Sequence, residues 1–220
     1  MMTLEQRGDV FVLDLGNDEN RLNPTWVEAV ENALAEVTAL QGPRALVTTG
    51  SGKIWSNGLD LDWMGAHPDA SPAFLDRVHA LFAAFLASGV PTVAAVQGHA
   101  FAGGAMLAVA HDRTVMRADR GYWCVPEVDL GLPFTPGMSA LLQARLTPPT
   151  AHEAMTTGRR YGGPEAVAAG IVAAAYELDQ LVDEAVAWAA AQAGKAGSTL
   201  ATIKQRMYAP ALAILSGTEQ

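Results

Sequence analysis

Three short segments hold residue types whose spacing could act on a carbonyl group. The first is Ile54-Trp55-Ser56-Asn57-Gly58-Leu59-Asp60-Leu61, a short strand that turns through Gly58 into a helix. The second is Val96-Gln97-Gly98-His99-Ala100-Phe101-Ala102-Gly103-Gly104-Ala105-Met106, a strand, a Gly-rich turn and a helix start. Both can aim free backbone N–H groups from a helix N-terminus into a shared space. Two such donors converging on one carbonyl oxygen form an oxyanion hole. The third segment, Val125-Pro126-Glu127-Val128-Asp129-Leu130-Gly131-Leu132-Pro133, sets an acid among apolar residues. Burial there would raise the carboxyl pKa and suit Glu127 to exchanging protons. On spacing alone, turns that only reverse the chain and a solvated loop acid explain the same residues more simply.

Other chemistries are excluded by pattern. No G-x-G-x-x-G or G-x-x-x-x-G-K-[ST] occurs, which removes dinucleotide and P-loop sites. The histidines (His67, His79, His99, His111, His152) contain no i, i+4 pair and no H-E-x-x-H, so no metal site is expected. There is no G-x-S-x-G elbow. Cys124, the one cysteine, lies in an apolar strand and reads as a buried structural thiol.

The chain of 220 residues has 14 Lys plus Arg against 23 Asp plus Glu, a formal net charge of −9. Half of it is hydrophobic, which excludes a disordered acidic chain. The negative balance argues against tracking nucleic-acid phosphates. A lone cysteine excludes an internal disulfide framework, and a reduced, cytoplasmic setting is expected. From Val78 to His111 there is no charged residue, but Ser88-Gly89-Val90-Pro91 and Gly103-Gly104 break the run. No segment reaches the roughly 18–20 apolar residues of a spanning helix, so no membrane partner is expected.

The elements that must position these residues alternate. Strands are expected over Val10–Leu15, Arg44–Thr49, Thr92–Val96, Arg113–Arg117 and Tyr122–Val125. Asn23-Pro24 reads as N-cap and N1 of a helix carrying Val27, Val30, Leu34 and Val37 on one face. Ser71-Pro72 opens another, with Phe74, Val78, Leu81 and Phe85. Gly98 to Gly104 reads as a turn and Ala105 to Ala110 as a helix. After Pro136 the texture becomes helical and Ala-rich, clearest over Leu178–Ala193 and Ser198–Tyr208. The pattern is α/β with crossover connections. One domain spans 1–220, with an α/β core to about residue 135 and a helical region from about 136.

In this order, the three segments resemble the crotonase superfamily, the enoyl-CoA hydratase/isomerase family, over about Val10 to Gly170. The resemblance implies a spiral of ββα units, a helical C-terminal region used in packing a homotrimer or dimer of trimers, and acyl-CoA thioesters as substrates. It implies no separate cofactor, since coenzyme A belongs to the substrate. In the family, the residue after the glycine of the first motif gives one oxyanion donor, here Leu59. The middle glycine of a G-G-G turn gives the other, here Gly103, while Ala102 replaces the first glycine. Ser56, Asn57, Gly58, Asp60, Trp63, Phe101, Gly104, Met106, Leu130 and Phe134 are the implied substrate-binding positions. Core packing serves equally for Trp63, Phe101, Leu130 and Phe134, and Asp60 and Asp62 read better as helix N-terminal acids.

Hydratases of the family carry two glutamates. Met106 stands at the first position and Glu127 at the second. One carboxylate is awkward for adding water but sufficient for moving a double bond, and the third segment is most similar to the Δ3,Δ2-enoyl-CoA isomerase branch, particularly its plant-like peroxisomal members. The competing readings are a hydratase that recruits Asp129, another acyl-CoA reaction using the oxyanion hole, and a non-catalytic acyl-CoA-binding protein. The end of the sequence, Gly217-Thr218-Glu219-Gln220, carries no peroxisomal signal. Lys204 and Arg206 read as a solvated helix face, with a coenzyme A phosphate as the alternative. His99 and His111 read as structural.

Overall fold

The computed structural model describes residues 2–217, so the C-terminal Thr218-Glu219-Gln220 lies outside the described residues. The chain begins with strands β1 (Thr3–Arg7) and β2 (Val10–Asp14), helix α1 (Pro24–Ala39) and strands β3 (Ala45–Thr49) and β4 (Ile54–Ser56). Helices α2 (Leu61–Ala66) and α3 (Ser71–Leu86) follow, then β5 (Thr92–Val96), β6 (His99–Phe101), α4 (Gly103–Ala110), β7 (Arg113–Arg117) and β8 (Trp123–Cys124). The remainder comprises α5 (Glu127–Leu130), α6 (Pro136–Arg145), α7 (Pro148–Thr157), α8 (Gly163–Ala168), β9 (Ala174–Tyr176), α9 (Leu178–Gln192), α10 (Ser198–Met207) and α11 (Ala209–Leu215).

Six strands form one sheet in the order β1-β2-β3-β5-β7-β9. Only the β1–β2 pair is antiparallel. Side chains alternate across it, as the two-residue strand period requires. Phe11, Leu13, Leu46, Ala94, Val96 and Met116 face the main core. Val10, Val12, Ala45, Val47, Val93, Ala95 and Val115 face a second cluster closed by Leu181, Ala185 and Ala189 of α9. Both faces are covered, which explains the continuous apolar runs in β3 and β5. The four apolar positions expected on each of α1 and α3 are buried.

A second sheet, β4-β6-β8, is small and parallel. It corrects the reading of Gly98–Gly104 as a simple turn. His99 N donates to Lys53 O at 2.9 Å and Ala100 N to Tyr122 O at 2.9 Å, which draws His99–Phe101 into a strand. The following helix already begins at Gly103. The region after residue 136 is not wholly helical either, because β9 pairs with β7 at the sheet edge. No helix among the described residues is long and apolar enough to cross a membrane.

Candidate active site

The small sheet and its exits bring the three segments together. Strand β4 is held from behind: Ser56 Oγ donates to Asn20 O at 2.8 Å, and Gln97 bridges Gly50 N and the carbonyls of Gly52 and Ile54. Its exit is pinned to the segment before α1, where Leu22 N donates to Gly58 O at 2.8 Å and Asp60 N to Leu22 O at 3.0 Å. Asp60 then caps α2, accepting from Trp63 N at 3.0 Å. With its neighbours tied on both sides, Leu59 N–H has no protein acceptor among the described residues. Gly103, the first residue of α4, likewise has an uncommitted N–H, as the first turn of any helix must.

These two amides are neighbours. A methyl group built on Gly58 would stand 2.9 Å from Gly103 N, and one built on Gly103 would stand 3.7 Å from Leu59 N. Gly58 has φ +79°, a left-handed conformation that favours glycine. Ala102, between β6 and α4, has φ +49° and ψ −124° despite carrying a Cβ.

Glu127 completes the arrangement. It starts the one-turn helix α5, after Pro126, whose carbonyl accepts from Asp129 N and Leu130 N. The side chain is buried, which removes the solvated-loop alternative, and its Oε2 has no hydrogen-bond partner among the described residues. Desolvation pushes its carboxyl up to about 7, against a smaller lowering by a backbone hydrogen bond. A buried acid near neutrality can both take and return a proton at ordinary pH.

Glu127, Leu59, Asn57, Phe101 and Leu130 line one cavity of about 410 Å³, together with Ala102, Pro126 and several apolar residues. Leu61, Met64, Leu75, Leu132, Pro133, Thr135 and Met138 on its wall were not anticipated as site residues. Leu132 and Pro133 lay within the third segment. Met64, Leu75 and Met138 sit on helices whose spacing does not tell a cavity wall from a core.

Seven expected substrate-binding positions lie elsewhere. Met106 is fully buried in the main core, as helix α4 is apolar on all sides. Gly104 packs on Ser56, whose oxygen would be 2.5 Å from an added methyl, so both are structural. Gly58 shapes the backbone and Asp60 caps α2. Trp63 stacks on His67 with ring centroids 4.6 Å apart and packs edge-on against Phe74. Phe134 packs against the main core rather than on the cavity wall.

Asp129 is exposed and faces Gly158 on the outer side of α5, away from the cavity. Lys204 is not solvated: it is buried, 2.8 Å from Asp112 Oδ1, and donates to Phe85 O at 3.2 Å. His111 is fully buried, contacting Thr48 Oγ1 at 3.0 Å and Leu107 O at 2.8 Å, and desolvation pushes it down to about 3. Cys124 donates to Gly158 O at 3.2 Å, with burial raising its thiol to about 11. Among the described residues no cluster of three His, Cys, Asp or Glu could hold a metal ion.

The chain is similar to enoyl-CoA delta isomerase 3 of Arabidopsis thaliana, 38% identical over 94% of this chain and 92% of the relative. It is 37% identical to the peroxisomal enoyl-CoA delta isomerase 2 of the same plant, over 100% of this chain and 96% of the relative. The solved structure of an enoyl-CoA isomerase from Mycobacterium tuberculosis superimposes with a TM-score of 0.86 at 25% identity, covering 99% of this chain and 95% of that one. The enoyl-CoA hydratase/isomerase family model matches residues 5–216. With its two sheets, its paired amides and its buried glutamate, this chain belongs to the enoyl-CoA hydratase/isomerase family and has the crotonase fold.

Proposed function

We propose that this chain is an enoyl-CoA isomerase that shifts the double bond of a 3-enoyl-CoA to the 2-position, using Glu127 as its only proton carrier. The observation that carries this reading is the cavity wall, on which Glu127 is the one titratable side chain among the described residues. In the proposed cycle the thioester oxygen accepts hydrogen bonds from Leu59 N–H and Gly103 N–H. Glu127, as carboxylate, takes a proton from C2. The C2–H bonding pair moves into the conjugated system, and the negative charge rests on the thioester oxygen as a dienolate. The neutral acid then delivers the same proton to C4, the charge collapses back, and the double bond lies between C2 and C3. Glu127 ends as the carboxylate it began as, so no second acid is required.

Adding water across the double bond would normally use two acids to hold the water and exchange its protons. Met106 stands where the resemblance puts the other acid and is out of the cavity, and Asp129 faces away from it. The relatives named delta isomerases, similar over most of the chain, support the same choice. The test is to supply purified protein with 3-hexenoyl-CoA and follow 2-hexenoyl-CoA formation, alongside hydration of crotonyl-CoA. Isomerisation should greatly exceed hydration. Equal isomerase activity in Glu127→Gln would sink the mechanism.

A further inference from the structure

Ala102 holds a backbone conformation that glycine would take without strain. Its φ of +49° and ψ of −124° are sparsely populated by any residue with a Cβ. Asn20 is the other non-glycine residue with positive φ among the described residues, and asparagine tolerates that region. Ala102 is therefore the strained one of the two. Outliers of this kind cluster at active sites, where the surroundings hold them in place. Ala102 lies at such a place, on the wall of the cavity that Glu127 and Leu59 share.

The methyl group is what glycine would lack, and two neighbours fix where it sits. A Cβ added to Gly58 would fall 2.8 Å from it, so it fills the gap between the two loops. It is joined to Gly103 N through only its own Cα and carbonyl carbon. Resting on the isomerase reading above, we infer that this methyl sets the substrate class at C2, admitting thioesters unbranched there and excluding those with a C2 methyl. An oxygen held about 2.7–3.1 Å from Gly103 N brings the thioester carbon and C2, the next atoms along, up against Ala102. One C2 hydrogen must face Glu127 to be removed. The other substituent at C2 then has to fit the wall beside Ala102, where a hydrogen has room and a methyl does not.

Two measurements on the full chain test this, each on wild type, Ala102→Gly and Ala102→Ser. The first is kcat/KM for 3-hexenoyl-CoA against 2-methyl-3-hexenoyl-CoA. The second is Kd for the saturated hexanoyl-CoA against 2-methylhexanoyl-CoA, by calorimetry. One carbon more or less in a fitted pocket is worth about 10–200-fold. Wild type should accordingly favour the unbranched member at least about tenfold in both measurements. Ala102→Gly, which relieves the strained conformation and so should fold, should cut that preference at least about fivefold. Ala102→Ser keeps the Cβ and should keep the preference. Equal Kd values in wild type would overturn the inference, whether or not isomerisation occurs. A preference unchanged in Ala102→Gly would overturn it by assigning the exclusion to other wall residues, and one lost in Ala102→Ser would overturn it by tracing the effect to the backbone. A Kd preference relieved in Ala102→Gly, with neither substrate isomerised, would uphold the role of Ala102 and overturn the proposed reaction.

Discussion

Gly58 and Gly103 meet backbone to backbone. Any Cβ at Gly58 would fall within 2.9 Å of both Gly103 N and Phe101 O, and 2.8 Å from the Cβ of Ala102. The gap between the two loops is thus set by the absence of one methyl group, and the spacing of the Leu59 and Gly103 amides depends on it.

Gly58→Ala should therefore separate the two donors. Losing one oxyanion-hole donor typically costs about 10²–10³ in kcat, and a loss of that size follows for isomerisation from the proposed role of these amides. The positive φ adds strain of roughly 1–3 kcal/mol, so thermal unfolding should show a lower Tm together with the lost rate.

Glu127→Gln should lower kcat by about 10²–10⁴, the usual contribution of a positioned acid–base group. In the wild type the rate should rise with pH through about 7, because the proposed mechanism needs Glu127 ionised. Stability should move the other way. The folded-state pKa lies above the ordinary value of 4.5, so the favourable contribution of neutral Glu127 is complete below about 4.5 and is lost as pH rises through about 7. The shift corresponds to roughly 3 kcal/mol. Glu127→Gln should consequently unfold at a higher temperature than wild type at pH 8 and at a similar one near pH 4.5.

Ala102→Gly should stabilise the protein. Ala102 holds a backbone conformation at φ +49°, ψ −124° that is sparsely populated by residues with a Cβ. Relief of that strain offsets the greater entropy of glycine in the unfolded chain, for a net gain of about 1 kcal/mol. Chemical denaturation should show a higher midpoint at unchanged slope.

Lys204→Met should cost about 3 kcal/mol, since breaking a buried ion pair leaves the other charge in place. Asp112 keeps its bonds from Thr92 N and Oγ1, which places the cost at the low end of the range. The double variant Lys204→Met/Asp112→Asn should recover part of it in denaturant unfolding.

What the sequence made legible was whatever short-range chemistry controls. Asn23-Pro24 and Ser71-Pro72 announce their helices, and the apolar spacing in α1 identifies its buried face, because caps and periodicity act within a few residues. Strand β1 was missed because it is a polar edge strand, mostly exposed and paired only with β2. Strand β6 was missed because its partners lie far along the chain. At the candidate site, a combination of motifs singled out Leu59, Gly103 and Glu127, and the structure puts the Leu59 and Gly103 amides side by side and Glu127 on the same cavity as Leu59. Trp63 and Leu75 show the limit: both sit on helices beside the cavity, yet only contacts between helices decide that Leu75 lines it and Trp63 packs edge-on against Phe74.

The cluster beneath α9 shares no residue with the cavity wall, because the strands divide their side chains between two separate interiors. That far side is a working handle. Tethers, labels or solubilising changes can be placed on the exposed positions of α9 without altering any residue of the cavity wall.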